Sequence, residues 1–379
     1  MRILYVASDQ VIPGQTGGSV HVWEVARGLA ARGHEVHAVV LRTEGAAERE
    51  TTEGVHWHRI RWTPGHRLFR FRAQAAVGRI ADQVRPQAVM ERYYNFGGEG
   101  IRAAAGRGLP SLLEVNSPVI DHPGSLKAAL DAAMLVRPLR RYRESLCRQA
   151  AALVSPLLEI VPEFARAKTT TVTWGANVDA FRPELRSPSV RHQLGIPEPA
   201  VAVLFSGSFR PWHGVQVLEA AARRLVDRED LFFVLAGGSE TGPARGYRGQ
   251  RLARVPYERM PEVVAAADIS VAPYDTARLG QLKLGFYWSP FKIFEAMASG
   301  VATVTIPRFP LTEIVREGEE GLFFTEGDAS SLASVLTRLA DQPALRQRLG
   351  QNARGRVVAH YSWARHCGVL EDVLRRIVG

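Results

Sequence analysis

The sequence predicts an α/β protein built from two doubly wound parallel-sheet domains, and three observations carry that expectation. Strand and helix patterns alternate from the first residues. The alternation pauses at a proline-containing connection and then restarts. The 379 residues also exceed the roughly 100 to 200 that one core usually organises.

Residues 2 to 8 form an apolar run that reads as a buried strand, and Pro13 to Gly18 form a glycine-rich loop after it. Val22, Trp23, Ala26, Leu29 and Ala30 recur at helical spacing until Gly33, and His34 to Leu41 read as a second strand. Such a crossover implies parallel strands whose ligands gather at the carboxyl ends. Further strands are expected at 88–91, 111–115, 152–155 and 170–174, with helices at 97–107 and 139–150. Between Phe181 and Pro199 the prolines mark a connection. Strands expected at 201–205, 231–236, 269–272, 303–306 and 321–323 then alternate with helices at 215–228, 261–267, 292–298 and 330–339. The expected domains are 1–180 and 181–359, with an amphipathic tail, 360–379, packing back on the first. Two Rossmann-like halves facing a central cleft result.

An apolar fraction of 46% and a charged fraction of 23% suit a soluble globular chain. Cys147 and Cys367 stand far apart with no companion ligand motif, which argues against a disulfide framework or a structural zinc site and for a reducing cytoplasm. The apolar start is too short for a signal sequence, and no run approaches the roughly 18 apolar residues of a membrane span. The formal charge of +10 is spread over basic-aromatic segments at 56–62 and 66–72 and a basic cluster at 137–148. These segments read either as solvated faces or as peripheral contacts with the inner face of a membrane. No nucleic-acid motif accompanies them, so nucleic acid is not an expected partner.

Glu295 is the residue most in need of a partner, since Ile293, Phe294, Met297 and Ala298 around it are apolar and 301–306 reads as a buried strand. Two ribose hydroxyls would satisfy it, as would a turn or Lys292. Pro290, Phe291 and Lys292 open its helix, where backbone amides and an ammonium suit a diphosphate. The loop from Gly207 to Gly214 follows the first strand of the second half and offers Ser208, Arg210 and His213. Arg210 would hold phosphate at any pH, while a phosphate contact through His213 should fade above about pH 7. Gly17 and Gly18 open the first helix, either as an anion-binding turn or as a plain one. No Asp-x-Asp pair occurs, so no metal–diphosphate bridge is expected.

Together with the segments Val172 to Pro183, Val255-Pro256-Tyr257 and Phe294 to Gly300, these features resemble the retaining glycosyltransferases of family 4, which have the GT-B architecture. The resemblance implies that Glu295 holds the donor ribose and that Val255, Pro256 and Tyr257 line the base. The first Glu of the family signature falls at Tyr287, and the family's phosphate clamp falls at Ser208 and His213, leaving Arg210 and Lys292 as substitutes. A family His falls near Asn116, with Glu114 beside it; with Gly17 and Gly18 they would border the acceptor side. The implied activity is transfer of a sugar from a nucleoside diphosphate sugar, UDP favoured, to an acceptor hydroxyl, with no metal or other cofactor. Glycan or glycoconjugate synthesis on the cytoplasmic side would be its setting. Rival readings are an epimerase or phosphorylase of the same fold, or a catalytically silent sugar-nucleotide module.

Overall fold

The computed structural model describes residues 1–379 apart from Gln15, Arg67, Leu68, Asn95, Pro123, Leu135, Gly280, Gln281, Lys283, Trp288 and Ser289. Parts of two segments singled out above, at Gln15 and at Arg67 and Leu68, therefore lie outside the described residues. The chain forms two compact units. One holds Met1–Trp174 and Trp363–Gly379, with Tyr287 clustering alongside; the other holds Gly175–Phe286 and Pro290–Ser362.

The strands of the first unit are β1 (Arg2–Val11), β2 (Glu35–Leu41), β3 (Arg49–Thr52), β4 (Val55–Ile60), β5 (Ala88–Tyr93), β6 (Ser111–Val115), β7 (Ala152–Ser155) and β8 (Thr169–Thr171). They lie in the order β3-β4-β2-β1-β5-β6-β7-β8. Only the β3–β4 pair is antiparallel among these. Its helices are α1 (Gly17–Ala31), α2 (Gln74–Val84), α3 (Glu99–Ala105), α4 (Leu126–Ala133), α5 (Pro138–Gln149) and α6 (Glu163–Arg166). Leu4, Val6, Val39 and Val89 bury one face of the sheet against Val77, Ala81, Ala103 and Ala104 of α2 and α3. Each fully buried Val or Leu there contributes roughly 1.5–3 kcal/mol. The Thr16 side chain accepts from Ser19 N–H and caps α1, and Gly33 at φ +84 ends the turn after it.

In the second unit α7 (Pro188–Gln193) precedes β9 (Val201–Ser206), α8 (Val215–Arg224), β10 (Leu231–Gly238), β11 (Gly242–Pro243), β12 (Gly249–Ala253) and α9 (Met260–Ala265). Then follow β13 (Ile269–Val271), α10 (Phe291–Ala298), β14 (Ala302–Thr305), α11 (Leu311–Ile314), β15 (Gly321–Phe323), α12 (Ala329–Asp341) and α13 (Pro343–His360). The strand order is β11-β12-β10-β9-β13-β14-β15, parallel but for β11–β12. The last helix, α14 (Trp363–Val378), returns to the first unit and buries Cys367, Leu370 and Leu374. A Cβ on Gly28 of α1 would stand 2.4 Å from Cys367 Sγ, so α1 and α14 cross where a glycine lets them touch.

Two expectations need correction. The stretch from His56 to Ile60 is not lipid-facing: β4 lies inside the sheet, Trp57 is buried and stacks on Trp23 at 5.5 Å, and Arg59 pairs with Glu50. Alternation was hidden because four of its residues are His, Trp or Arg, whose polar tips mask an inward-facing body. The 18-residue helix α13 was also unexpected, since its apolar residues form no clear stripe.

Candidate functional site

The second unit brings most of the expected donor residues to the carboxyl ends of its strands. β9 ends at Ser206, and Gly207 follows with φ +132, a conformation that favours glycine. A Cβ there would stand 3.1 Å from Lys292 Nζ, so the amine lies directly beneath this turn. Lys292 Nζ also sits 4.8 Å from the centre of the Phe205 ring and 4.9 Å from that of Tyr274. Burial pushes the Lys292 ammonium down to about 7, against the pull of Glu295. One turn further along α10, burial pushes the Glu295 carboxyl up to about 7, opposed by the Lys292 charge and a Tyr257 hydrogen bond. An acid and a base are thus held close to neutrality on one helix face, which is how groups waiting for a charged or hydroxylic ligand behave.

Pro290 stands at the N-cap of α10 and supplies no side-chain hydrogen bond, and its carbonyl accepts from the Ile293 N–H at 2.8 Å. Ser208 and Arg210 are exposed on the loop after β9, and the Arg210 guanidinium engages no side chain in the described contacts. Pro256 is exposed, and Val255 and Tyr257 are half-buried.

His213 departs from its expected role. Its Nδ1–H donates to the Ser208 carbonyl, and burial, aided by the charges of Lys292 and Arg210, lowers its pKa to about 3. It is neutral at ordinary pH and shapes the loop, so a phosphate contact fading above pH 7 is not expected of it. The cations of this site are Lys292 and Arg210.

The remaining predicted residues lie in the first unit. Gly17 and Gly18 form the first turn of α1, where a Cβ on Gly18 would strike Gln10 Oε1 at 2.4 Å. Asn116 is buried, and its Nδ2 donates to the Glu114 carbonyl at 3.3 Å. Glu114 is buried among protein partners: Tyr5 donates to Oε2 at 3.0 Å, and His21 Nε2 meets Oε1. Tyr287, at the position of the family's first Glu, is buried, which pushes its hydroxyl pKa well up. Tyr274, which walls Lys292, was missed because a lone Tyr after a strand carries no spacing signal; so was the meeting of His21 with His366, since their separation in sequence hides it.

Two α/β units, each with a mainly parallel sheet, give the GT-B fold of glycosyltransferases. The chain belongs to family 4 of these enzymes: residues 187–356 match the family described as Glycosyl transferases group 1, and residues 16–170 match the Glycosyl transferase 4-like domain. It is similar to a D-inositol 3-phosphate glycosyltransferase of Thermomonospora curvata, 27% identical over 91% of this chain and 87% of that protein. Another of that name from Streptomyces avermitilis is 26% identical over 95% and 83%. Among solved structures, sucrose-phosphate synthase of Thermosynechococcus elongatus shares the fold with a TM-score of 0.75 at 18% identity, over 99% of this chain and 98% of that one. The Anabaena protein HepE, solved with UDP-glucose, aligns with a TM-score of 0.70 at 15% identity, over 99% and 100%.

Proposed function

We propose that this glycosyltransferase moves a hexosyl group from a nucleoside diphosphate sugar, UDP-sugars favoured, to an acceptor hydroxyl, with the anomeric configuration retained and no metal at the diphosphate. The observation that carries it is the buried pair on α10: Glu295, 7% exposed, with Lys292, 8% exposed, under the Gly207 turn. A ribose diol donates to Glu295 and favours its ionised form, and a diphosphate favours the Lys292 ammonium, so the ligand offsets the desolvation that burial imposes on each group. In the reaction the bond from the anomeric carbon to the diphosphate oxygen breaks, the acceptor oxygen bonds to that carbon, and the hydroxyl proton leaves. Arg210 and Lys292 offset the charge that builds on the departing diphosphate. The solved relative bound to UDP-glucose supports the preference for UDP, and the relatives named for D-inositol 3-phosphate support a hydroxyl acceptor.

Peripheral attachment to an anionic leaflet belongs to this reading. Among the described residues, no helix is long and apolar enough to cross a membrane. Leu126 and Leu130 of α4 and Met134 at its C-cap recur every fourth residue at 80%, 57% and 44% exposure. Arg137, Arg140 and Arg141 are exposed just beyond. Apolar anchors rimmed by cations complement anionic headgroups.

Calorimetry with UDP, ADP and GDP tests the donor site. Wild type should bind UDP tightest, and Glu295→Ala should weaken binding about tenfold or more, the cost of lost hydrogen bonds to a charged group. Unchanged affinity in the variant would remove Glu295 from the site.

A further inference from the structure

Away from the donor site, three side chains remote in sequence meet inside the first unit: His21 on α1, Glu114 on β6 and His366 on α14. They are 0%, 3% and 3% exposed, and one ligand atom from each lies within 4.8 Å of the other two. Tyr5 donates to Glu114 Oε2 at 3.0 Å. His366 Nδ1 lies 2.8 Å from the Thr173 carbonyl, which can only accept, so Nδ1 carries the proton and Nε2 is a bare lone pair. That Nε2 has no hydrogen-bond partner. Glu114 Oε1 and His21 Nε2 are in direct contact, the one polar contact either atom has. The rings of Trp174 and Trp363 pack on His21 at 4.3 and 5.3 Å, giving the cluster apolar walls.

Three ligand-capable atoms therefore face one another away from water, and the His366 lone pair meets no donor there, where an unmet polar atom is costly. One proton on His21 satisfies a single contact. One cation satisfies all three. We propose that His21 Nε2, Glu114 Oε1 and His366 Nε2 bind a divalent transition-metal ion, zinc by the character of the two-imidazole, one-carboxylate set. Zinc at about 2.0–2.2 Å from each ligand would hold them about 3.4 Å apart in tetrahedral geometry, so the His21–Glu114 contact opens and pairs up to 4.8 Å apart draw in. Two of the outer contacts already have the required form: His366 donates its second N–H to the Thr173 carbonyl, and Glu114 accepts from the Tyr5 hydroxyl, while His21 Nδ1 has no such partner. The site's role is structural, tying the C-terminal helix, which arrives after the whole second unit, to α1 and β6. The proposal departs from the expectation of no metal site, which rested on cysteine spacing and on the lack of an Asp-x-Asp pair.

The test uses untagged full-length protein expressed with zinc in the medium. Elemental analysis should find about one zinc per chain, dipicolinate should remove it and lower Tm, and zinc should restore Tm. Cobalt(II) added to the stripped protein should give the visible absorption of a tetrahedral site, a readout that needs no variant. His366→Gln should lose the zinc and the response to chelator. Wild type that carries no zinc, ignores chelator and stays colourless with cobalt would overturn the proposal and leave a hydrogen-bonded triad. Full zinc in folded His366→Gln would overturn it as well.

Discussion

Replacing Lys292 by Met should stabilise the protein while weakening its hold on a nucleoside diphosphate. Met keeps the length and apolar stem, and its sulfur suits the Phe205 and Tyr274 rings that flank the amine. Burial lowers the Lys292 pKa from 10.5 to about 7. An unfolded lysine keeps its proton to about pH 10.5, so between pH 7 and 10.5 the unfolded state binds the additional proton. Stability therefore rises with pH across that window, by up to about 1.4 kcal/mol per pH unit. At pH 8 the penalty that Met removes is about 3 kcal/mol, from roughly 2.5 units of remaining difference. Part of this gain is offset because Glu295 loses its neighbouring cation, which pushes its already raised pKa higher and makes the variant's stability fall with pH. Urea unfolding at pH 7.5, 8.5 and 9.5 should thus show a net gain of about 1–3 kcal/mol at the lower pH values, with wild type closing on the variant as pH rises. UDP affinity by calorimetry should drop about tenfold to a hundredfold, the worth of a hydrogen bond to a charged group. Parallel pH slopes for the two proteins would show that Lys292 is not a displaced amine, and undiminished UDP affinity would remove it from the donor site.

Arg210→Ala should leave Tm within about a degree, because the guanidinium is exposed, while kcat falls at least tenfold; equal losses of stability and turnover would make Arg210 structural instead. Replacing Leu126 and Leu130 by Ser should abolish co-sedimentation with anionic vesicles without lowering Tm, since both side chains face solvent. Wild type that stays unbound to such vesicles at low salt would end the membrane reading.

Glu295, Lys292 and Arg210 were legible because each breaks a local pattern: a charge on an apolar helix, or a cation in the loop after a buried strand. The roles of His213 and Glu114 were not, because both depend on what surrounds them. The Ser208 carbonyl and two nearby cations make His213 a neutral loop brace. Tyr5 and His21 enclose Glu114. In each case the deciding partner is set by packing, and residue type alone does not encode it.

By itself the sequence determined the alternation of strands and helices, since period-2 and period-3.6 apolar patterns depend only on neighbours a few residues away. It also determined the restart after Pro199 and the glycines at turns such as Gly207. Tertiary structure decided which charges would be buried and beside what. Desolvation and the partners that relieve it depend on distances in space, and those arise only when segments as remote as His21, Glu114 and His366 are folded against one another.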